Sequence, residues 1–189
     1  MAGKIIILSA PSGTGKSTII KYLMANRPEL DLHFSISATS RKPRKGEEDK
    51  KDYYFLTEQE FRDKIGKGEF VEWEEVYEGT LYGTLYSEVM EKVAQGQTVI
   101  MDIDVKGSIN VKKCFGDKAL ALFIMPPSIQ ELEMRLTNRG TDDRDEIARR
   151  LAKAGYEMNF APQFDDIVIN DDFFKAAEQV GDKIKGFNP

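Results

Sequence analysis

Ile5-Ile6-Ile7-Leu8-Ser9-Ala10-Pro11-Ser12-Gly13-Thr14-Gly15-Lys16-Ser17-Thr18-Ile19-Ile20-Lys21-Tyr22-Leu23 is the stretch whose reading decides the fold. It opens on an apolar run of strand length, closes on a segment with helical character, and joins them by a glycine-bearing loop that ends in Lys-Ser. That is the strand-to-helix setting of a phosphate-binding loop, in which successive backbone N–H groups and the positive end of the helix dipole surround a polyphosphate. On this reading Ala10, Pro11, Ser12, Gly13, Thr14 and Gly15 form the cradle, Lys16 reaches the β- and γ-phosphates, and Ser17 ligates Mg²⁺. The pattern G-x-x-x-x-G-K-[ST] begins with glycine where this chain has Ala10, so the loop's first residue must accept a Cβ. The competing reading is a chance Gly/Ser-rich turn, and the coincidence of strand, loop, Lys-Ser pair and helix weighs against it.

Further apolar runs at Thr98–Met101, Leu120–Met125 and Ile167–Ile169 alternate with segments of helical spacing. Such alternation predicts βα units and a parallel sheet covered on both faces. Thr57-Glu58-Gln59-Glu60 and Ser128-Ile129-Gln130-Glu131 read as capping boxes, and Gly96 and Gly140 stand where helices would stop. Residues 33–85 break the alternation with polar β-like stretches, a basic run and many aromatics, which reads as an insertion. Residues 126–158 read as two arginine-bearing helices around a turn at Gly140.

With 189 residues, one main domain carrying inserted subdomains is expected rather than two independent ones. Lys and Arg number 27 against 32 Asp and Glu, a net charge of −5 that argues against a general nucleic-acid or membrane-surface binder, so anionic ligands must be held by local basic clusters. A single Cys114 and a lone His33 leave disulfide frameworks, zinc sites and histidine catalysis unsupported. Only four strong apolar residues follow the N-terminal lysine, too few for a signal-peptide core or a membrane span, and a cytoplasmic location is expected.

Within the insertion, Arg41 and Arg44 stand three positions apart around a proline-stiffened turn, a spacing suited to holding a phosphate between guanidinium forks. Tyr53 and Tyr82 supply phenol hydroxyls that can donate to the same anion. Taken alone, the arginines read as a solvated loop balancing Glu47, Glu48 and Asp49, and the tyrosines as subdomain core. In Phe70-Val71-Glu72-Trp73-Glu74, alternation puts Glu72 and Glu74 on one face of a strand and Val71 and Trp73 on the other. Either carboxylate could accept the adjacent N1–H and N2 amine of guanine, a pair that adenine does not present, or both could face water on an acidic strand edge.

Pro11-Ser12-Gly13-Thr14-Gly15-Lys16-Ser17, Ser37-Ala38-Thr39-Ser40-Arg41-Lys42-Pro43-Arg44, Asp52-Tyr53-Tyr54-Phe55, Glu69-Phe70-Val71-Glu72-Trp73, Tyr82-Gly83-Thr84, Asp102-Ile103-Asp104, Pro126-Pro127-Ser128, Arg139-Gly140-Thr141 and Val168-Ile169-Asn170-Asp171-Asp172 together resemble the guanylate kinase family. The resemblance runs in the family's order over nearly the whole chain. It implies an α/β P-loop NTPase three-layer fold with a central parallel sheet: a core at 1–32, 86–125 and 159–189, an inserted GMP-binding subdomain at 33–85 and a helical lid at 126–158. By the same resemblance Ser37, Glu72, Thr84 and Asp104 read guanine, and Arg41, Arg44, Tyr53 and Tyr82 clamp the GMP phosphate. Glu72 is preferred to Glu74 because it precedes Trp73, as in the family's Glu-Trp pair. Ser17 and Asp102 are implied to serve Mg²⁺ directly or through water, Asn170 to lie near the adenine of ATP, and Arg135, Arg139 and Arg150 to work from the lid, with Arg149 an alternative to Arg150.

The activity implied is reversible transfer of the γ-phosphoryl group of MgATP to GMP, with dGMP a further candidate acceptor, giving ADP and GDP in purine nucleotide metabolism. Lys16, Arg41, Arg135, Arg139 and Arg150 are the implied catalytic set. Two alternatives are a P-loop kinase for another nucleoside monophosphate and a non-catalytic guanylate-kinase-like module that binds phosphopeptides through the Arg41/Arg44/Tyr53/Tyr82 clamp. ATP and GMP are the expected partners, with neither nucleic acid nor membrane expected.

Overall fold

The computed structural model describes residues 3–77, 79–140 and 143–187, with the side chains of 76, 77 and 139 outside the description. The opening run forms β1 (Lys4–Ser9), whose residues beyond Lys4 are all buried, and the loop leads into α1 (Lys16–Asn26). β2 (Leu32–Phe34), β7 (Thr98–Asp102), β8 (Ala119–Met125) and β9 (Asp166–Ile169) join β1 in a five-stranded sheet of order β2-β7-β1-β8-β9. Every pairing in it is parallel. The predicted apolar runs are therefore strands of one sheet, each lengthened by a residue or two.

Continuous apolar strands are what a sheet buried on both faces demands. Along β1 the alternation sends Ile6 and Leu8 to a cluster with Ile19, Leu23, Ile124 and Val180, while Ile5 and Ile7 join Val89, Met101, Val105 and Phe123 on the other side. Each such side chain contributes on the order of 1.5–3 kcal/mol when buried. The first face is covered by α1 and α7 (Phe173–Gly186), the second by α3 (Tyr86–Ala94) and α4 (Val105–Phe115). Helix, sheet and helix make three layers, as expected.

Between β2 and α3 the chain builds a second sheet from β3 (Ala38–Thr39), β4 (Tyr54–Phe55), β5 (Phe70–Tyr77) and β6 (Thr80–Leu85), in the order β4-β3-β6-β5. α2 (Glu58–Gly66) packs Phe61 against Ala38 and Leu81 and stacks it on Phe70 at 4.3 Å between ring centroids. The Thr57–Glu60 capping box is complete, with side chain and backbone bonded in both directions. Glu88 of α3 ties the two sheets together, accepting from Tyr54 Oη at 2.8 Å and from Ile36 N–H at 3.2 Å.

After β8 come α5 (Ile129–Arg139) and α6 (Arg144–Met158), which share a small apolar cluster of Leu132, Leu136, Ala154, Ile147 and Leu151. Ser128 Oγ accepts from Glu131 N–H at 3.1 Å, the hydroxyl half of the predicted box, and Gly140 ends α5 at φ 67°. Thr141 lies outside the described residues.

Candidate functional site

The phosphate loop owes its shape to two left-handed glycines, Gly13 at φ 91° and Gly15 at φ 95°. Both are also hemmed in: a Cβ on Gly13 would meet Leu136 Cδ2 at 2.7 Å, and one on Gly15 would meet Asn170 Nδ2 at 2.8 Å. No side chain caps α1 and no acidic residue occupies its first turn, so its leading N–H groups and dipole are available to an anion. The loop forms one wall of a cavity of about 730 Å³ whose other walls include Asp102, Asp104, Arg135 and Glu157.

Register brings Asp102 to the loop. β7 pairs with β1 so that Asp102 lies opposite Leu8, at the carboxyl edge of the sheet where the loop begins. Lys16 Nζ reaches Asp102 Oδ1 at 2.5 Å and Ile103 O at 3.2 Å, and Ser17 Oγ donates to Asp102 Oδ2 at 3.1 Å. A hydroxyl and a carboxylate side by side are hard oxygen donors, the chemistry that suits a magnesium ion sharing phosphate oxygens. Ser17 and Asp102 thus fit the ion expected of them.

Two of the arginines on α5 and α6 approach the same cavity. Arg135 donates through Nε to Glu131 Oε1 and through Nη1 to the carbonyl of Asn170, both at 2.9 Å. Arg150 donates to Ser12 Oγ at 2.8 Å and to Glu146 Oε1 at 3.3 Å. Arg149 instead pairs with Glu146 at 2.8 Å and is largely exposed. Arg139 lies on α5, and its side chain is outside the described residues.

At the far end, β5 pairs with β6 so that Glu72 faces Thr84, whose Oγ1 donates to Glu72 Oε1 at 2.7 Å. Glu72 is 9% exposed and Trp73 46%, so the predicted alternation holds. Burial pushes the Glu72 carboxyl up to about 7, against the pull of the Thr84 hydroxyl and with help from the charge on Asp104. Asp104 caps α4 through Gly107 N–H at 2.8 Å. Its hydrogen bond with Glu74, together with burial, raises Glu74 to about 7. Asp104 itself would be raised by burial, but that bond and the backbone amides hold it low. Gly107 makes room for this trio, since a Cβ there would come within 2.8 Å of Glu72 Oε2. Ser37 stands just before β3, the neighbour of β6, and Tyr54 N–H donates to its carbonyl at 2.9 Å.

Arg41 is the centre of the basic turn. Its Nε donates to Tyr82 Oη at 3.1 Å, and its Cζ lies 5.0 Å above the Tyr53 ring, itself at 6.0 Å from the Tyr82 ring. The other edge of the guanidinium holds Glu47 bidentately at 2.6 and 2.7 Å. That fork holds the Glu47 carboxyl down at about 2. Glu47 also accepts from Arg44 N–H at 2.7 Å, while the Arg44 side chain is exposed. In the sequence Glu47 enters only as a counter-charge in the alternative, solvated-loop reading of the arginines; its spacing of three and six residues from Arg44 and Arg41 is the signal available for its pairing.

A family model described as Guanylate kinase matches residues 2–186. The chain belongs to the guanylate kinase family. It is 53% identical over 187 residues to a guanylate kinase of Bacteroides thetaiotaomicron, covering 99% of this chain and 91% of that one. A guanylate kinase of Porphyromonas gingivalis is 52% identical, with 97% of each chain covered. Among solved structures, the guanylate kinase of Anaplasma phagocytophilum superposes with a TM-score of 0.73 at 29% identity, over 97% of this chain and 85% of that one. Kinship within the guanylate kinase family makes the chain a nucleotide-binding transferase, a kinase whose family generally uses Mg²⁺ with ATP.

Proposed function

We propose that the chain transfers the γ-phosphoryl group of MgATP to GMP, giving ADP and GDP, and that the two ends of the cleft divide the substrates. The observation that carries this division is that Lys16 and Asp104 line one cavity, so the phosphate loop and one member of the acidic trio, Asp104, open on the same space. At one end the free backbone N–H groups of the loop and Lys16 would hold the ATP phosphates, with Ser17 and Asp102 serving Mg²⁺. When bound, that ion supplies neutralisation of the β- and γ-phosphate charge. At the other end Glu72, Asp104, Thr84 and Ser37 would take the guanine edge, and Arg41, Arg44, Tyr53 and Tyr82 the phosphate.

No protein nucleophile is needed, because the GMP phosphate itself attacks. The work left to the side chains is alignment, charge neutralisation and exclusion of water. Arg135 and Arg150 already reach the loop's surroundings from α5 and α6, which suits a lid at 126–158 closing on a core, with the insertion at 33–85 carrying the acceptor. A cytoplasmic setting suits soluble nucleotide substrates, and among the described residues no helix is long and apolar enough to cross a membrane. Nothing in the relatives favours a phosphopeptide-binding module or another acceptor.

The test is a coupled assay of ADP release with MgATP and GMP, run beside AMP, UMP, CMP, dTMP and dGMP. Turnover with GMP and not with the other ribonucleotides is the expected outcome. Silence with GMP from a protein that binds ATP would sink the reading.

A further inference from the structure

We propose that Asn170 is a positioning residue of the phosphate loop, acting on ATP through the loop's backbone. The proposal rests on the reading of residues 10–17 as the ATP site.

Asn170 follows β9 directly and is 4% exposed, beside Gly15 and Arg135, which line the cavity. Its backbone N–H, its backbone carbonyl and its side-chain Nδ2 are all engaged within the protein. Its N–H donates to Met125 O at 2.8 Å, which pins it to the end of β8. Its carbonyl accepts from Arg135 Nη1 at 2.9 Å. Its side-chain Nδ2 donates to Thr14 O at 2.6 Å, in a buried bond across 156 residues of sequence. The same nitrogen is what a Cβ on Gly15 would strike.

The consequence for the loop is directional. A peptide unit whose carbonyl is drawn inward turns its following N–H outward, and the Thr14 carbonyl is drawn toward the sheet by a buried amide. Thr14 is itself fully buried, so water is not at hand to replace that bond. Gly15, left-handed at φ 95°, then carries the chain into α1 with its own carbonyl accepting from Ile19 N–H at 3.0 Å. Asn170 therefore sets the orientation of the peptide between Thr14 and Gly15. Only a donor serves opposite a carbonyl, so asparagine suits the position and aspartate, an acceptor, does not.

The experiment compares Asn170→Asp and Asn170→Ser with the parent chain. It measures the KM of ATP, CTP and ITP as donors, the KM of GMP, and calorimetric binding of magnesium tripolyphosphate, which has the phosphates and no base. The expected result is a loss of about tenfold or more in both ATP and tripolyphosphate affinity for Asn170→Asp, with donor-base preference unchanged and the KM of GMP within about twofold. Asn170→Ser, with a shorter donor, loses less in the same pattern and serves if the aspartate variant fails to fold. Loss of ATP affinity with tripolyphosphate binding intact, or a changed ranking of ATP, CTP and ITP, would overturn the proposal in favour of base contact. Unchanged affinity for every ligand would overturn it too. A parent chain that binds neither ATP nor tripolyphosphate would strike the site assignment instead.

Discussion

At the phosphate loop the proposed ATP site would offer an anion backbone amides on the rim of a five-stranded sheet, whereas the proposed GMP clamp would offer it side chains, Arg41, Tyr53 and Tyr82, beside a four-stranded one with a core of Ala38, Phe61 and Leu81. Each end keeps a cation paired with a carboxylate: Lys16 with Asp102, and Arg41 with Glu47. The two pairs are equally sheltered, with side-chain exposures of 15% and 22% in the first and 15% and 21% in the second, so burial does not distinguish them. What distinguishes them is how the carboxylate is fixed. Asp102 is set by the register of two central strands, and Glu47 by a turn six residues from its arginine. Removing a side chain at the loop end should thus cost chemistry and leave the frame, while at the clamp end it should cost GMP affinity and local order.

Lys16→Ala breaks the loop end most severely. A fall in kcat of about 10³-fold is expected, with GMP affinity measured by calorimetry within about threefold of the parent. A comparable loss of GMP binding would show that the ends are not separable.

Glu72→Gln comes next, since it leaves the guanine donors facing a group that both donates and accepts. An increase in the KM of GMP of about 10²-fold, against less than about threefold for ATP, is the outcome that supports its role.

Glu47→Gln sharpens the comparison at the clamp. Glu47 occupies the Nη1/Nη2 edge of Arg41 while Nε donates to the Tyr82 hydroxyl, so Glu47 fixes the orientation of the guanidinium. The KM of GMP should rise about 3- to 10-fold with that of ATP unmoved. A fall would mean that Glu47 competes with the phosphate.

The Glu72 carboxyl also makes stability depend on pH. Its native pKa, near 7, is raised above the unfolded value, so its contribution is full below the unfolded pKa and is lost as pH rises through about 7. Glu74 titrates with the same sign, so the readout is the difference between Glu72→Gln and the parent. From pH 5 to pH 8 the variant should gain on the order of 1–3 kcal/mol relative to the parent in denaturant unfolding.

The smallest effect is at Lys50, a left-handed residue at φ 62° in the turn below the clamp. Lys50→Gly relieves that conformation and should raise stability by about 0.5 kcal/mol, a shift in Tm of about 1–2 °C by calorimetry.

The sequence by itself determined whatever is local or periodic. Strand, loop and helix around Lys16 are contiguous, and Glu72 against Trp73 follows from a period of two. The caps at Thr57 and Ser128 and the stop at Gly140 follow from residue chemistry at fixed offsets. β2 escaped because Leu32-His33-Phe34 is short and has no apolar run; it is a strand because β7 offers it an edge. Glu47 escaped because a carboxylate in a charged loop has no signature until its arginine turns toward it. What only the tertiary structure decided are meetings across the chain: Asp102 on Lys16, Arg150 rather than Arg149 on Ser12, Gly107 clearing a place for Glu72, and Asn170 on Thr14. Spacing fixes which way a side chain leaves its own strand or helix. Which partner waits there depends on sheet order and register, and those are set by the burial of the whole core.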